Sequence, residues 1–308
     1  MGVSSDLAII GAGPVGLFAV FQAGMLGMSS CVIDALDVIG GQCKVLYPEK
    51  PIYDIPGYKM ITGSDLIDNL VDQAESFNPI YLMGHVVESI EEVEGGFTLT
   101  TDKGDRIDSK AIMIAAGSGK FGPNRPPING ILEYENKSVF YHVTNKAMFS
   151  GKKVAIAGGG DSALDWAIEL AKITEKLYLI HRRKTFRCAP NSLKVLEDLI
   201  SEGNIELMTP YQLSSISGKD GMLEEVRICD ISSKEEISLE VDFLLPFFGI
   251  SANLGPILNW GLCVERFHIP VDQATCRTSR DKIYAVGDVA HYQGKLKLIL
   301  VGFSEVAL

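Results

Sequence analysis

Short apolar runs alternate with glycine turns and amphipathic stretches along this chain. That is the pattern of strands buried on both faces and joined by helices. Asp6 to Ile10 reads as a buried strand, Gly11 to Gly16 as a turn, and the next stretch as a helix to about Leu26. Ser30 to Asp34 completes a βαβ opening. Ser64 is placed to cap a helix through about Phe77, and Gly84 to Thr101 reads as an antiparallel excursion turning at Glu94-Gly95-Gly96. Ala111 to Ala116 is a further buried strand, ending at Gly117.

The pattern then starts again. Lys153 to Ala157 predicts a strand, Ser162 to Ile173 a helix and Leu177 to Ile180 a second strand. Leu244 to Phe248 is a short buried run, and Lys282 to Val286 predicts a strand entering Gly287-Asp288. Between the two units, Gly117 to Pro127 is rich in glycine and proline, as linkers are, and Gly249 to Gly255 reads as the return crossing. The expected fold is α/β, with two Rossmann-like three-layer dinucleotide-binding domains, the second inserted into the first. Residues 1–117 and 249–308 would form the outer domain and 118–248 the inserted one. No repeat of the solenoid type is present.

Each βαβ unit opens on a glycine fingerprint, and the strand after each ends in opposite charge. The first is Gly11-Ala12-Gly13-Pro14-Val15-Gly16, with Asp34 at the end of the following strand. Its first glycine permits the tight turn, its second lets a pyrophosphate approach the backbone, and its third lets helix and strand pack closely. An acid at the position of Asp34 accepts a hydrogen bond from a ribose hydroxyl. The second fingerprint is Gly158-Gly159-Gly160-Asp161-Ser162-Ala163, followed by His181-Arg182-Arg183 and then Arg187. A basic cluster there neutralises a 2′-phosphate, and arginine suits it because its planar fork binds phosphate oxygens in pairs. One site therefore predicts an adenosine ribose and the other NADP, the arrangement of a flavoprotein served by NADPH. Asp288, after an apolar strand and Gly287, would meet flavin ribityl hydroxyls. Tyr47 and Tyr53, in the loop after Gly40-Gly41-Gln42, are aromatics able to stack on a flavin ring or to serve only the loop.

Composition narrows the remaining choices. At 308 residues the chain can bury two cores. A formal net charge of -11 argues against nucleic acid or an anionic membrane as general partners. No apolar run reaches membrane-spanning length, the first strand leaves no room for a signal peptide, and Met1-Gly2 lacks the Ser or Thr that myristoylation wants at position 6, which is Asp6. These point to a soluble cytoplasmic protein. Cys31, Cys43, Cys188, Cys229, Cys263 and Cys276 fit neither a zinc site nor a disulfide scaffold and read as packing thiols in a reducing compartment. No metal site is expected.

Four segments carry a family resemblance over essentially the whole chain: Leu46-Tyr47-Pro48-Glu49-Lys50 with Ile52-Tyr53-Asp54, Gly158 through Trp166, His181-Arg182-Arg183 with Phe186-Arg187, and Asn259-Trp260-Gly261-Leu262. On these the chain resembles the low-molecular-weight thioredoxin reductases and, within them, the thioredoxin-reductase-like ferredoxin–NADP(+) reductases. The resemblance implies FAD and NADP(H), a ferredoxin or flavodoxin partner and a homodimer. It places Tyr47 on one face of the flavin, Gln42 and Asp54 near the ring's polar edge, Gly117 beside the cofactor and Asp288 at the ribityl chain. The family's C-terminal tail, which covers the other face, falls beyond Leu308, so no second stacking residue is named. Thioredoxin reductases carry Cys-x-x-Cys about 20 residues before the second fingerprint. Here that window reads Tyr141-His142-Val143-Thr144, so a disulfide relay has no carrier there. No side chain is expected to act as acid or base, because the flavin carries the redox chemistry. Lys44, Lys50, Lys59, Lys295 and Lys297 are candidates for a local basic patch that would attract an acidic redox partner. Two other readings stay open: a disulfide reductase using distant cysteines, and a non-catalytic module that senses NADPH or flavin.

Overall fold

The apolar run ending at Ile10 forms the strand Gly2–Ile10 inside a seven-stranded sheet of the computed structural model, which describes residues 2–308 apart from the side chain of Phe121. Met1, half of the Met1-Gly2 start, lies outside the described residues. The strands Ser30–Asp34 and Arg106–Ile114 flank the central strand in parallel. Ile80–Met83 adds beyond the first, and Ile283–Ala285 pairs with the second, both also parallel. Register is what places the site. Ile10 pairs with Ile33 and with Ile114, and Ile114 pairs with Ala285. Four parallel strands therefore end in one row, and the residues just past them, Gly11, Asp34, Ala115 to Gly117 and Gly287-Asp288, must converge at one sheet edge, the place where open α/β sheets bind ligands.

Strands Val87–Val93 and Gly96–Thr101 form the expected antiparallel excursion, which continues by antiparallel pairing into Arg106–Ile114. That last strand starts before Ala111 because its first half pairs with the excursion and with residues 2–5. Helix Pro14–Met25 packs between the helices Gly63–Glu75 and Ile299–Val306, with Phe18 and Phe303 ring centroids 4.9 Å apart. The cap of Gly63–Glu75 is Thr62, not Ser64: the Thr62 hydroxyl accepts from Asp65 N at 3.1 Å, while Ser64 lies inside the first turn and receives the Lys44 ammonium. Ile9, Leu17, Ile33, Ile67 and Ile114 are fully buried, each worth roughly 1.5–3 kcal/mol relative to exposure.

The chain divides into two compact units, residues 1–122 with 251–308, and residues 123–250. The crossings fall a few residues after Gly117 and Gly249, because Lys120–Pro123 and Ile250–Asn253 pair as a two-stranded ribbon. In the inserted unit, Lys153–Ala157 is flanked in parallel by Lys176–Ile180 and Phe243–Pro246, with Glu206–Met208 outside. Ala157 pairs with Ile180 and Pro246, so Gly158, His181 and Phe247 emerge together. Its helix is Asp161–Leu170. An antiparallel sheet of Tyr211–Lys219, Met222–Asp230 and Glu236–Glu240, which the sequence pattern did not announce, covers this unit's core through Val226 and Ile228. No helix among the described residues is long and apolar enough to cross a membrane.

Candidate active site

The first glycine turn is forced by its packing. Gly11 has φ +114°, and a Cβ there would sit 2.4 Å from Ala115 O. A Cβ on Gly16 would sit 1.9 Å from Gly11 O. Gly13 differs: a Cβ there would meet nothing within 4 Å, so its backbone faces open space. Gly13 also precedes the helix Pro14–Met25, whose first turn has no side-chain cap, leaving free N–H groups and the positive end of the helix dipole. Asp34 stands beside this turn. Its Oδ2 accepts from Ala12 N at 2.7 Å and its Oδ1 from Leu36 N at 2.8 Å. Burial pushes its carboxyl above the usual range, and these two backbone bonds oppose that rise. Each oxygen keeps a lone pair for a further donor.

A cavity of about 540 Å³ opens from this turn along the strand ends. It brings together Gly11, Gly13, Pro14, Asp34, Gln42, Tyr47, Gly117 and Asp288 in its lining. Gly16 is absent from the lining because it serves the helix–turn contact. Asp54 lies exposed on the loop, also outside the lining. Cys43, His85, Trp260 and Lys297 line the cavity without having been singled out for it. Cys43 had no local signal as a cavity residue. The short helix Gly41–Val45 puts it four residues before Tyr47, with its thiol 3.6 Å from the Tyr47 hydroxyl. Burial pushes the Cys43 thiol up to about 11 and the Tyr47 hydroxyl up as well, so both keep their protons at neutral pH. An open glycine backbone at a helix start, two carboxylates and an aromatic wall in one cavity suit FAD.

Members of the expected basic patch are engaged within the chain. Lys44 pairs with Asp68 at 2.7 Å, and Lys295 is buried against Glu305. Desolvated, Lys295 cannot attract a partner. Lys50 lies 5.8 Å from the Tyr47 ring centroid, Lys59 is exposed, and Lys297 Nζ donates to His268 Nε2 at 2.8 Å.

The second turn is built differently. A Cβ on Gly158 would sit 2.8 Å from Phe247 O and 2.9 Å from the Ala163 Cβ. A Cβ on Gly159 would strike the His181 ring at 2.1 Å. Gly160 precedes the helix, and its Cβ would find only Arg187 O at 4.0 Å. Arg187 is tied in by its N–H, which donates to Gly159 O at 2.8 Å. Asp161 Oδ1 accepts from Ala189 N at 3.3 Å, and Ser162 is exposed on the first helical turn. Arg182, Arg183 and Arg187 are exposed, and none of their guanidiniums has an ion-pair partner among the described residues. His181 is not part of that open charge. Its ring stacks on Phe186 at 5.1 Å, its Nε2 donates to Thr185 O at 3.2 Å, and burial pushes its pKa below the usual 6.5. It is a neutral prop under Gly159. The two exposed arginines that follow it fit the 2′-phosphate of NADP. The six cysteines are all free, and the described residues contain no cluster of His, Cys, Asp and Glu able to hold a metal ion.

The family described as pyridine nucleotide-disulphide oxidoreductase matches residues 5–305. A ferredoxin–NADP reductase of Anaplasma phagocytophilum (strain HZ) is 67% identical over 303 residues, covering 98% of this chain and 90% of that protein. Another, of Wolbachia pipientis wMel, is 56% identical over 307 residues, covering 99% and 91%. Among solved structures, a thioredoxin reductase of T. acidophilum is 26% identical and superposes with a TM-score of 0.86, covering 99% of this chain and 95% of that one. With two dinucleotide turns, a cavity suited to FAD and these relatives, the chain belongs to the pyridine nucleotide-disulphide oxidoreductase family, as an FAD- and NADP(H)-using oxidoreductase of the thioredoxin-reductase-like ferredoxin–NADP reductase type.

Proposed function

We propose that this protein passes electrons between NADPH and a small one-electron carrier of the ferredoxin or flavodoxin type. The carrying observation is a pair of glycine turns, each following a buried parallel strand and opening a helix, in a chain with no dithiol ahead of the second one, where Tyr141 instead donates to Glu135 Oε1 at 2.7 Å. When bound, the flavin supplies hydride acceptance and single-electron release. The protein's part is to hold and orient. Gly11, Gly13 and Pro14 present the backbone and helix start to the pyrophosphate, Asp34 accepts from the ribose, and Asp288 from the ribityl chain. Tyr47 covers a ring face, and Gln42 and Gly117 lie along the same wall. In the inserted unit, Gly158, Gly160, Asp161 and Ser162 frame the nicotinamide dinucleotide, while Arg182, Arg183 and Arg187 select its 2′-phosphate. Cys43 is buried and protonated, and so a poor nucleophile, which counts against a thiol-based alternative. The exposed Leu296, Leu298 and Leu300 near the C-terminus suit the homodimer that the resemblance implies.

The test is NADPH oxidation by FAD-loaded protein with cytochrome c as reporter, run with ferredoxin and, in parallel, with thioredoxin and a chromogenic disulfide. Stimulation by ferredoxin alone is expected. Stimulation by thioredoxin alone would overturn the proposal in favour of a disulfide reductase, and failure of NADPH to bleach the flavin would favour a sensing module.

A further inference from the structure

A buried ion pair near the C-terminus has no part in the site as described so far. Glu305, on the helix Ile299–Val306, is 3% exposed, and the Lys295 side chain paired with it is 4% exposed. Burying two charges is costly even when they are paired, and apolar residues of the same size commonly hold a core at least as well. A pair placed there therefore calls for a reason other than packing. Its bonds supply one. Glu305 Oε2 accepts from Gly287 N at 2.7 Å. Glu305 Oε1 accepts from the Tyr292 hydroxyl at 2.7 Å and from the Lys295 ammonium. Tyr292 is a secure donor, its hydroxyl pushed up to about 12 by burial and by its bond to Glu305.

Gly287 is the residue before Asp288, and its φ of +73° lies where only glycine is unstrained. The same helix approaches this turn through Gly302, where a Cβ would come within 2.4 Å of Val15 Cγ2 and 3.3 Å of Gly287 Cα. Val15 belongs to the first fingerprint and lines the cavity, as do Gly287 and Asp288. The helix thus touches both walls of the cavity, and its one buried acid grips the N–H that precedes the ribityl carboxylate. A carboxylate makes the stronger acceptor for a backbone N–H. Lys295 offsets its charge, so that Glu305 does not repel the second acid, Asp288.

We propose that Glu305 is a positioning residue of the FAD site: it fixes Gly287 and so aims Asp288 into the cavity, with Lys295 and Tyr292 holding Glu305 in place. The inference rests on the assignment of the cavity to FAD. It is tested by titrating FAD into deflavinated protein and following flavin fluorescence, for the wild type, Glu305→Gln, Asp288→Asn and the double variant. Melting temperature and 2′,5′-ADP binding report folding of the same samples. Glu305→Gln is expected to weaken FAD about 10-fold in the wild-type background and less than about 2-fold in the Asp288→Asn background. Independent losses that multiply in the double variant would overturn the proposal, since a merely structural role gives that result. Should Glu305→Gln fail to fold, Tyr292→Phe replaces it, with about 3-fold weaker binding expected beside Asp288 and none beside Asn. A wild-type chain that does not take up FAD would overturn the cavity assignment instead, which separates the two failures.

Discussion

The two glycine turns begin alike and end in opposite physical regimes. Each follows a buried parallel strand and opens a helix that has no side-chain cap. At the first, the distinguishing acid is desolvated, held by two backbone N–H groups and enclosed in a cavity. At the second, the distinguishing cations are exposed and unpaired among the described residues. The first is preorganised, so recognition there depends on shape and on hydrogen bonds already aimed. The second depends on open charge, sensitive to salt and tolerant of small displacements. That division suits a cofactor that stays and one that exchanges.

The sharpest break in this comparison is steric. Gly16 is the sixth residue of the first fingerprint, and a Cβ there would meet a backbone oxygen at 1.9 Å. Backbone cannot step aside as a flexible side chain can. Gly16→Ala is expected to destabilise by about 3 kcal/mol, the upper end for overpacking, and to abolish FAD retention. The sixth residue of the second fingerprint is already alanine, accommodated because Gly158 offers no Cβ of its own. Ala163→Gly should therefore cost only about 0.5–1 kcal/mol, the helix penalty of glycine. Urea unfolding and bound-flavin content measure both; a Gly16→Ala protein that purifies with full FAD would refute the packing argument.

Next in size is the phosphate. Replacing Arg182 and Arg183 together with alanine should cut the preference for NADPH over NADH roughly 100-fold, given about 1.5–3 kcal/mol for a hydrogen bond to a charged group, discounted for exposure. Raising ionic strength should weaken NADPH binding in the wild type and leave FAD binding nearly unchanged. Equal salt sensitivity at the two sites would erase the contrast between them.

How much of this was legible in the sequence depends on distance along the chain. Gly11, Gly13, Asp34 and the arginines declare themselves within one βαβ unit, because turn, helix start and strand end are local events with fixed spacing. Asp288 was legible too, since an apolar strand leads into it. Glu305 was not: its meaning comes from Gly287, Tyr292 and Lys295, and no periodicity reports a buried pair between a loop and a helix. Lys295 shows the cost, since a lysine in a polar loop reads as surface until the fold buries it. Cys43 needed the turn of helix that sets its thiol beside Tyr47, a residue the sequence had already offered. The antiparallel sheet of residues 211–240 was missed for a related reason. Its first strand is mostly small and polar, as in Ser214, Ser215, Ser217 and Gly218, and gives a weaker signal than the Val-Ala-Ile-Ala of a buried parallel strand.

The smallest expected effect tests the boundary between the two regimes, and it concerns His181. Its place in a basic cluster makes it look like a third phosphate cation. Its geometry makes it a neutral prop: stacked on Phe186, donating to Thr185 O, and filling the space left by Gly159. Burial lowers its pKa below the 6.5 of the unfolded chain, with Arg182 and Arg183 adding repulsion. Below 6.5 the unfolded state therefore binds more protons than the folded one, and stability from neutral His181 is present above 6.5 and lost as pH falls through the folded pKa. His181→Gln, neutral at every pH, should lack that acid-side loss relative to the wild type. It should also leave the NADPH-to-NADH preference within about 3-fold of wild type at pH 7.5, because no charge is removed. A preference that collapses as far as in the double arginine variant would put His181 among the phosphate ligands, and the second site would then be partly preorganised, like the first.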